Sequence, residues 1–119
     1  MKLINILVIL SSFLSFNALA SAQDEITHLL NFVAATPCEY ERNGSIHSGA
    51  EAVEHINKKY AYYSDDIETA EDFIEYSATK SLISGKYYQV HCNNEAPIKS
   101  KDWLLNELTL YRQSSALNH

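Results

Sequence analysis

Glycine, proline and positive charge are all scarce in this chain. Its 119 residues include only three Gly and two Pro, which excludes collagen-like and low-complexity sequences. Nine Lys and Arg against fifteen Asp and Glu give a formal net charge of −6. No basic stripe suited to phosphate groups is present, so we expect no nucleic-acid partner. The length fits one domain, and a hydrophobic content of 46% excludes general disorder.

The first 22 residues differ in composition from the rest. Lys2 is the only charged residue before Asp24, and an apolar run covers residues 3–16. Small residues then alternate up to Ala22, in the order typical of a secretory signal peptide. We predict cleavage after Ala22, with cleavage after Ala20 as the alternative. The run is shorter than the roughly 20 residues of a membrane span. We therefore expect a periplasmic protein whose mature domain, residues 23–119, has no membrane span.

Cysteine occurs only at Cys38 and Cys92. In an oxidising compartment an even number of cysteines predicts a disulfide, here one that closes the segment 38–92. The chain-entropy model assigns about 4 kcal/mol of stability to a loop of this length. A redox pair is the alternative, but the C-x-x-C spacing typical of such pairs is missing. We favour a structural disulfide.

Hydrophobic periodicity predicts four helices and three short strands in the order α-β-β-α-α-β-α. The fold class expected is therefore α+β, with a small antiparallel sheet, one disulfide and an ordered core over about residues 24–112. The predicted helices cover residues 24–35, 49–62, 69–79 and 100–112; the predicted strands cover 38–42, 45–47 and 86–92. Residues 93–99 are expected to form a loop, and residues after 112 a frayed tail.

Two local motifs support this pattern. Asn43-Gly44 is a strong hairpin-turn signal between the first two strands. Ser48 followed by Glu51 has the spacing of a helix capping box. In the last helix we expect Leu110 to widen the buried stripe.

A set of short motifs spans nearly all of the mature chain: Cys38-x-Tyr40-x-Arg42-Asn43-Gly44, His55-Ile56, Lys59-Tyr60, Ala70 to Glu75, Ser84-Gly85-Lys86 and Trp103-Leu104. In its order and spacing this set resembles the YfeK-like family of small secreted bacterial proteins. The family often has proline where this chain has Tyr87, which implies a looser start to the last strand. The resemblance implies export and the domain limits. The family's function is unknown, so the resemblance implies no catalytic role and no substrate.

The predicted disulfide also locates a candidate site. If the strands around the two cysteines are antiparallel and Cys38 faces Cys92, Arg42 falls near Tyr88 and the Asn43-Gly44 turn near Lys86. This register predicts a cluster at one end of the sheet formed by Arg42, Asn43, His47, Ser84, Lys86 and Tyr88. The alternative is that these residues only build turns and stack on one another.

Other chemistry is weakly supported by the sequence. The five His lack the spacing of known zinc motifs, so we expect no metal and no cofactor. His55 shares a helix face with Glu51 and Lys59 and is interpreted as part of a surface ion pair. No nucleophile motif is present, and we assign no catalytic residues. We expect the eight Tyr to be divided between the edges of the core and a binding surface.

These observations favour a non-enzymatic binding or interaction protein of the cell envelope. Its acidic surface would suit a basic protein, a peptide or another envelope component. The alternative is a small envelope enzyme with a polar pocket at the end of the sheet. The sequence leaves the oligomeric state open.

Overall fold

A computed structural model describes residues 20–117. A layer of helices packs against one face of a four-stranded sheet. In chain order the elements are α1 (Ala22–Ala35), β1 (Glu39–Arg42), β2 (Ser45–His47), α2 (Gly49–Tyr62), a 3-10 turn (Ser64–Asp66), α3 (Ala70–Ser77), β3 (Gln89–His91), β4 (Ile98–Lys99) and α4 (Ser100–Leu117). This confirms the predicted α+β class. The signal-peptide prediction falls on residues that lie almost entirely outside the described part.

The sheet has the strand order β2-β1-β3-β4, and every neighbouring pair is antiparallel. Tyr40 faces Val90 and Glu39 faces His91, which is the register predicted from the cysteines. Cys38 and Cys92 form the expected disulfide, with Cα atoms 4.5 Å apart. The disulfide therefore joins the two central strands at the end opposite the Asn43-Gly44 turn.

Several predicted boundaries were wrong. The segment 93–99 was expected to be a loop, but residues 98–99 add a fourth strand that pairs with β3. The last helix continues to Leu117 instead of fraying after residue 112, because the sequence there has neither Gly nor Pro to stop it. Leu110 is 51% exposed and does not extend the buried stripe. The third strand is limited to Gln89–His91, since Tyr87 forms only an isolated bridge with Lys80.

The start of α2 has the predicted capping box, and the start of α1 has a second one that was not predicted. Ser48 and Glu51 form the expected capping box of α2. Helix α1 begins earlier than predicted, because Ser21 caps it and exchanges hydrogen bonds with Asp24. Ser100 is the first residue of α4, as the predicted bounds have it; it is fully buried and hydrogen-bonded to the Tyr40 hydroxyl.

The core lies between the helices and the sheet. Its centre is formed by fully buried side chains from every layer: Leu29, Val33, Ile56, Phe73, Ile74, Val90, Leu104 and Leu108. At the rim, the Arg112 guanidinium donates to both carboxylates Glu25 and Glu71, with N···O distances of 2.8–3.0 Å. This arrangement ties α4 to α1 and α3. Within residues 20–117, no helix is long and apolar enough to cross a bilayer.

Candidate functional site

The candidate site lies where the β1–β2 hairpin, helix α2 and the start of β3 meet. Arg42 ends β1, and the turn that follows needs positive φ at Asn43 (55°) and Gly44 (83°). This tight turn brings His47 back beside β1, where it pairs with Tyr40. Tyr88, just before β3, completes the group from the neighbouring strand. The disulfide register therefore fixes which side chains face α2.

The Tyr88 hydroxyl is the polar centre of the site. Tyr88 is only 2% exposed, and its oxygen lies 3.1 Å from Lys59 Nζ and 3.1 Å from His55 Nε2. Lys59 can only donate, so the Tyr88 oxygen accepts from it. The Tyr88 hydroxyl can then donate its own proton to His55, in the tautomer whose Nε2 carries no hydrogen. Lys59 Nζ also donates to the Lys80 carbonyl oxygen at 2.8 Å. A directional chain thus runs from α2 through Tyr88 and back to α2.

Burial and neighbouring cations perturb the groups in this chain. Burial, followed by the charges of Arg42 and Lys59, lowers the pKa of His55 to about 4. Burial and Arg42 also lower the pKa of Lys59. Burial raises the pKa of Tyr88, and Arg42 partly offsets that rise. At neutral pH His55 is therefore uncharged, which allows its Nε2 to accept from the Tyr88 hydroxyl.

Two connected spaces adjoin these residues. The inner recess, bounded by Arg42, His47, His55 and Tyr88, has a volume of about 10 Å³, enough for one water molecule at most. Outside it, an open depression of about 250 Å³ is lined by Arg42, His47, Glu51, Glu54, His55 and Lys58. We call this depression the Arg42 depression. It has room for a side-chain-sized group but does not enclose one.

Arg42 is a half-buried cation that lines both spaces. Among residues 20–117 it makes no salt bridge with a carboxylate, although Glu51 and Glu54 line the same depression. Glu51 is already engaged: its carboxylate accepts from the Ser48 amide at 2.9 Å and lies 3.7 Å from His47 Nδ1. The positive charge of Arg42 instead lowers the pKa of its neighbours Lys59 and His55, neither of which is an anion.

The structure brings part of the predicted cluster together. Arg42, His47 and Tyr88 line one recess. Asn43 and Ser84 form a separate contact, in which Ser84 Oγ donates to Asn43 Oδ1 at 2.6 Å. Lys86 is exposed and contacts Ser84 only through its backbone amide, so its side chain is not part of this group.

Two residues of the site were missed by the sequence interpretation. His55 was expected to form a surface ion pair, and this is wrong: it bonds Tyr88, while His47 is the histidine near Glu51. His55 and Lys59 lie one helical turn apart and flank the buried Ile56. That spacing, beside the buried stripe of α2, was the available signal. Two polar residues that border the buried side of a helix can face a neighbouring sheet as readily as solvent.

The tyrosines divide between core and surface. Tyr40 and Tyr88 are buried, whereas Tyr62 is 80% and Tyr76 38% exposed. The Tyr63 ring contacts both of the latter: its centroid lies 4.8 Å from that of Tyr62, edge to face, and 5.2 Å from that of Tyr76, in a tilted arrangement. We call Tyr62, Tyr63 and Tyr76 the tyrosine patch. Tyr62 lies one helical turn after Lys58 on α2, which places the patch beside the Arg42 depression.

Two further histidines of residues 20–117 pair with carboxylates. His28 Nε2 lies 2.7 Å from Glu107, and His91 Nε2 lies 2.6 Å from Glu41. Within the described residues no group of three His, Cys, Asp or Glu side chains is placed to hold a metal ion. The disulfide leaves neither thiol available as a nucleophile or ligand.

Comparison with known proteins identifies the family. The sequence profile of the "Family of unknown function (DUF5329)" matches residues 20–112, so the chain belongs to this family. The uncharacterized protein YfeK of Salmonella typhimurium (strain LT2) is 37% identical over 73 residues, which cover 60% of this chain and 61% of that protein. The chain thus spans about three fifths of the length of this relative. No solved structure matches the chain. The resemblance to YfeK-like proteins is confirmed.

Proposed function

We propose that this member of the DUF5329 family is an exported, non-enzymatic binding protein that recognises an acidic segment of another envelope protein. The observation that carries the proposal is Arg42, a half-buried guanidinium without a carboxylate partner among residues 20–117. Lys59 and Lys58 add positive charge around it. A carboxylate entering the Arg42 depression would accept a bidentate pair of hydrogen bonds from this side chain.

The tyrosine patch supports a polypeptide ligand. Tyrosine and arginine are enriched at the centres of protein interfaces, because they combine large contact area with a polar group. Tyr62 and Tyr76 offer such area on the surface next to the Arg42 depression. A peptide with a carboxylate in the Arg42 depression would extend over this patch.

The proposal reverses the sign of the partner expected from net charge. The whole chain is acidic, which favoured a basic protein or peptide. Recognition depends on local charge, however. The Arg42 depression is lined by the cations Arg42 and Lys58 and by two carboxylates, of which Glu51 is already engaged by Ser48 and His47. Long-range repulsion from the acidic surface should then slow association with the acidic ligand, and added salt should weaken this repulsion.

Export is part of the proposal and is supported by the N-terminal sequence. Of the two predicted cleavage positions, we favour the one that leaves the N-cap of α1 intact. Cleavage after Ala22 would remove Ser21, whose hydroxyl accepts from the Asp24 amide at 3.0 Å. Cleavage after Ala20 keeps this cap and places the new α-amino group near Asp24 Oδ2, which lies 3.4 Å from the Ser21 nitrogen. We therefore propose residues 21–119 as the periplasmic form.

Calorimetric titration with a blocked glutamate-rich peptide tests the proposed binding. A glutamine-rich peptide of equal length is the control ligand. Arg42→Gln should weaken binding at least about tenfold, because charge-assisted hydrogen bonds are lost. Lys101→Gln is the matched control, since it removes one positive charge from a side chain that pairs with Glu75 on α3. Equal weakening by both variants, or equal binding of both peptides, would refute recognition by the Arg42 depression.

Catalysis at the same place is the second candidate, favoured by the perturbed pKa values of Lys59 and His55. A lysine whose pKa is lowered gives up its proton more readily than an ordinary lysine, as general acid–base catalysis requires. The inner recess, however, admits no more than a water molecule. Turnover of generic ester, amide or glycoside substrates that is lost in Lys59→Arg, with unchanged melting temperature, would favour this candidate over binding.

A further inference from the structure

A second surface, distinct from the Arg42 depression, lies on the loop between α3 and β3. The Ser81 amide donates to the Lys86 carbonyl and the Tyr88 amide to the Thr79 carbonyl, both at 3.0 Å. Lys80 and Tyr87 form a bridge between these bonds. Residues 79–88 are thus a short hairpin, whose tip is residues 82–85. We call this segment the apolar-tip hairpin.

The tip is ordered but exposes two consecutive apolar side chains. Leu82 is 69% and Ile83 98% exposed. The buried Ser81 hydroxyl accepts from the amides of Ile83 and Ser84, at 3.2 and 3.3 Å. Ser84 in turn donates to Asn43, which ties the tip to the β1–β2 turn. A single exposed leucine is common on protein surfaces, but a braced turn whose foremost residues are leucine and isoleucine is not required by turn chemistry.

Positive charge surrounds the apolar tip. The segment 76–94 contains no Asp or Glu, although the chain has fifteen of them. Lys80 and Lys86 flank the tip, and Lys99 Nζ lies 4.4 Å from the centroid of the Tyr87 ring. None of these three lysines makes a salt bridge with a carboxylate of residues 20–117. Tyr87 itself is 44% exposed.

We infer that the apolar-tip hairpin docks this protein on an anionic phospholipid surface, with Leu82 and Ile83 inserted among the headgroups. Exposed apolar side chains at the tip of a hairpin that carries Lys80 and Lys86 match the boundary between acyl chains and negatively charged headgroups. Tyrosine is likewise enriched at this boundary. The chain as a whole is acidic, so the orientation is set by this local basic region.

The docking is weak and reversible. Two inserted side chains and three nearby lysines give far less membrane affinity than a spanning helix or a double lipid anchor. This inference rests on different residues from the proposed peptide binding. The hairpin touches the site through the Asn43–Ser84 contact and through the hydrogen bonds of Tyr88 and Lys80. Its exposed tip does not line the Arg42 depression, so one surface can fail without the other.

Co-sedimentation with lipid vesicles tests this inference. The protein is purified as the cell processes it, so that all variants share one N-terminus. It should sediment with phosphatidylglycerol-containing vesicles, much less with phosphatidylcholine vesicles, and progressively less as salt is added. Ile83→Ser should lower the partition coefficient about tenfold and Lys86→Gln about fivefold.

Matched controls separate the hairpin from general effects. Leu110→Ser removes another half-exposed leucine from α4, and Lys101→Gln removes a lysine paired with Glu75. Both should leave the partition coefficient unchanged. Equal binding to both lipid compositions, equal loss in the control variants, or no binding of the unmodified protein to anionic vesicles would overturn the inference. The inference would also be overturned if the protein bound another protein through Ile83 but did not bind vesicles.

Discussion

A substitution at Gly49 tests the contact between α1 and α2, on which the position of the Arg42 depression depends. Gly49 is the first residue of α2 and is buried. A Cβ atom built there would lie 2.2 Å from the Val33 carbonyl oxygen and 3.1 Å from Thr36 Cγ2. The first distance is more than about 1 Å inside ordinary contact. Because the obstacle is backbone, the end of α1 must move to accommodate alanine.

Gly49→Ala should therefore destabilise the fold by about 2–4 kcal/mol, the range typical of overpacking with backbone displacement. Helix propensity alone predicts the opposite sign, since alanine is favoured over glycine in a helix by up to about 1 kcal/mol. Urea unfolding followed by circular dichroism measures the difference. Ala50→Gly is the matched control at the next, exposed position and should cost about 1 kcal/mol through propensity. A stabilised Gly49→Ala variant would refute the close contact between the helices.

Three further predictions concern pH, the disulfide and export. His55 is neutral in the fold at pH 7, because its pKa is about 4 in the folded protein against 6.5 in the unfolded chain. Its contribution to the free energy of unfolding is therefore complete above pH 6.5 and is lost as the pH falls through 4. After allowance for solvent screening, the wild type should lose about 1–2 kcal/mol more than His55→Gln between pH 7 and pH 4; equal losses would contradict this. Reduction of Cys38–Cys92 should lower the free energy of unfolding by about 3–4 kcal/mol, and an unchanged melting temperature would contradict a structural role. Mass spectrometry of the periplasmic protein should find residues 21–119; a mass starting after Ala22 would refute the capping argument, and a full-length mass would refute export.

The central part of the fold was predictable because two independent constraints coincide. Alternating residues identified the strands, and two cysteines allowed one pairing. Together they gave the register in which Tyr40 faces Val90. The Asn43-Gly44 turn then fixed the β1–β2 hairpin, since both residues tolerate the positive φ that this turn needs.

The errors arose where local signals were weak. β4 has only two residues and follows a proline, so no alternating pattern could develop in it. Lys86 was placed in the cluster by extending the β1–β3 register beyond the strands, but the hairpin 79–88 turns away to form its own pairing. His55 was missed because a histidine on a helix face looks the same from sequence whether it meets solvent or a sheet. Only the position of Tyr88 distinguishes these cases.

The most direct test of the proposed function is the His55 pKa measured by NMR with and without the glutamate-rich peptide. Arg42 is among the cations that hold this pKa low. A carboxylate bound in the Arg42 depression would offset that charge, so the His55 pKa should rise from about 4 when the peptide is added. Arg42→Gln should raise the pKa without peptide and abolish the further change. A His55 pKa that stays the same at saturating peptide would contradict binding beside Arg42.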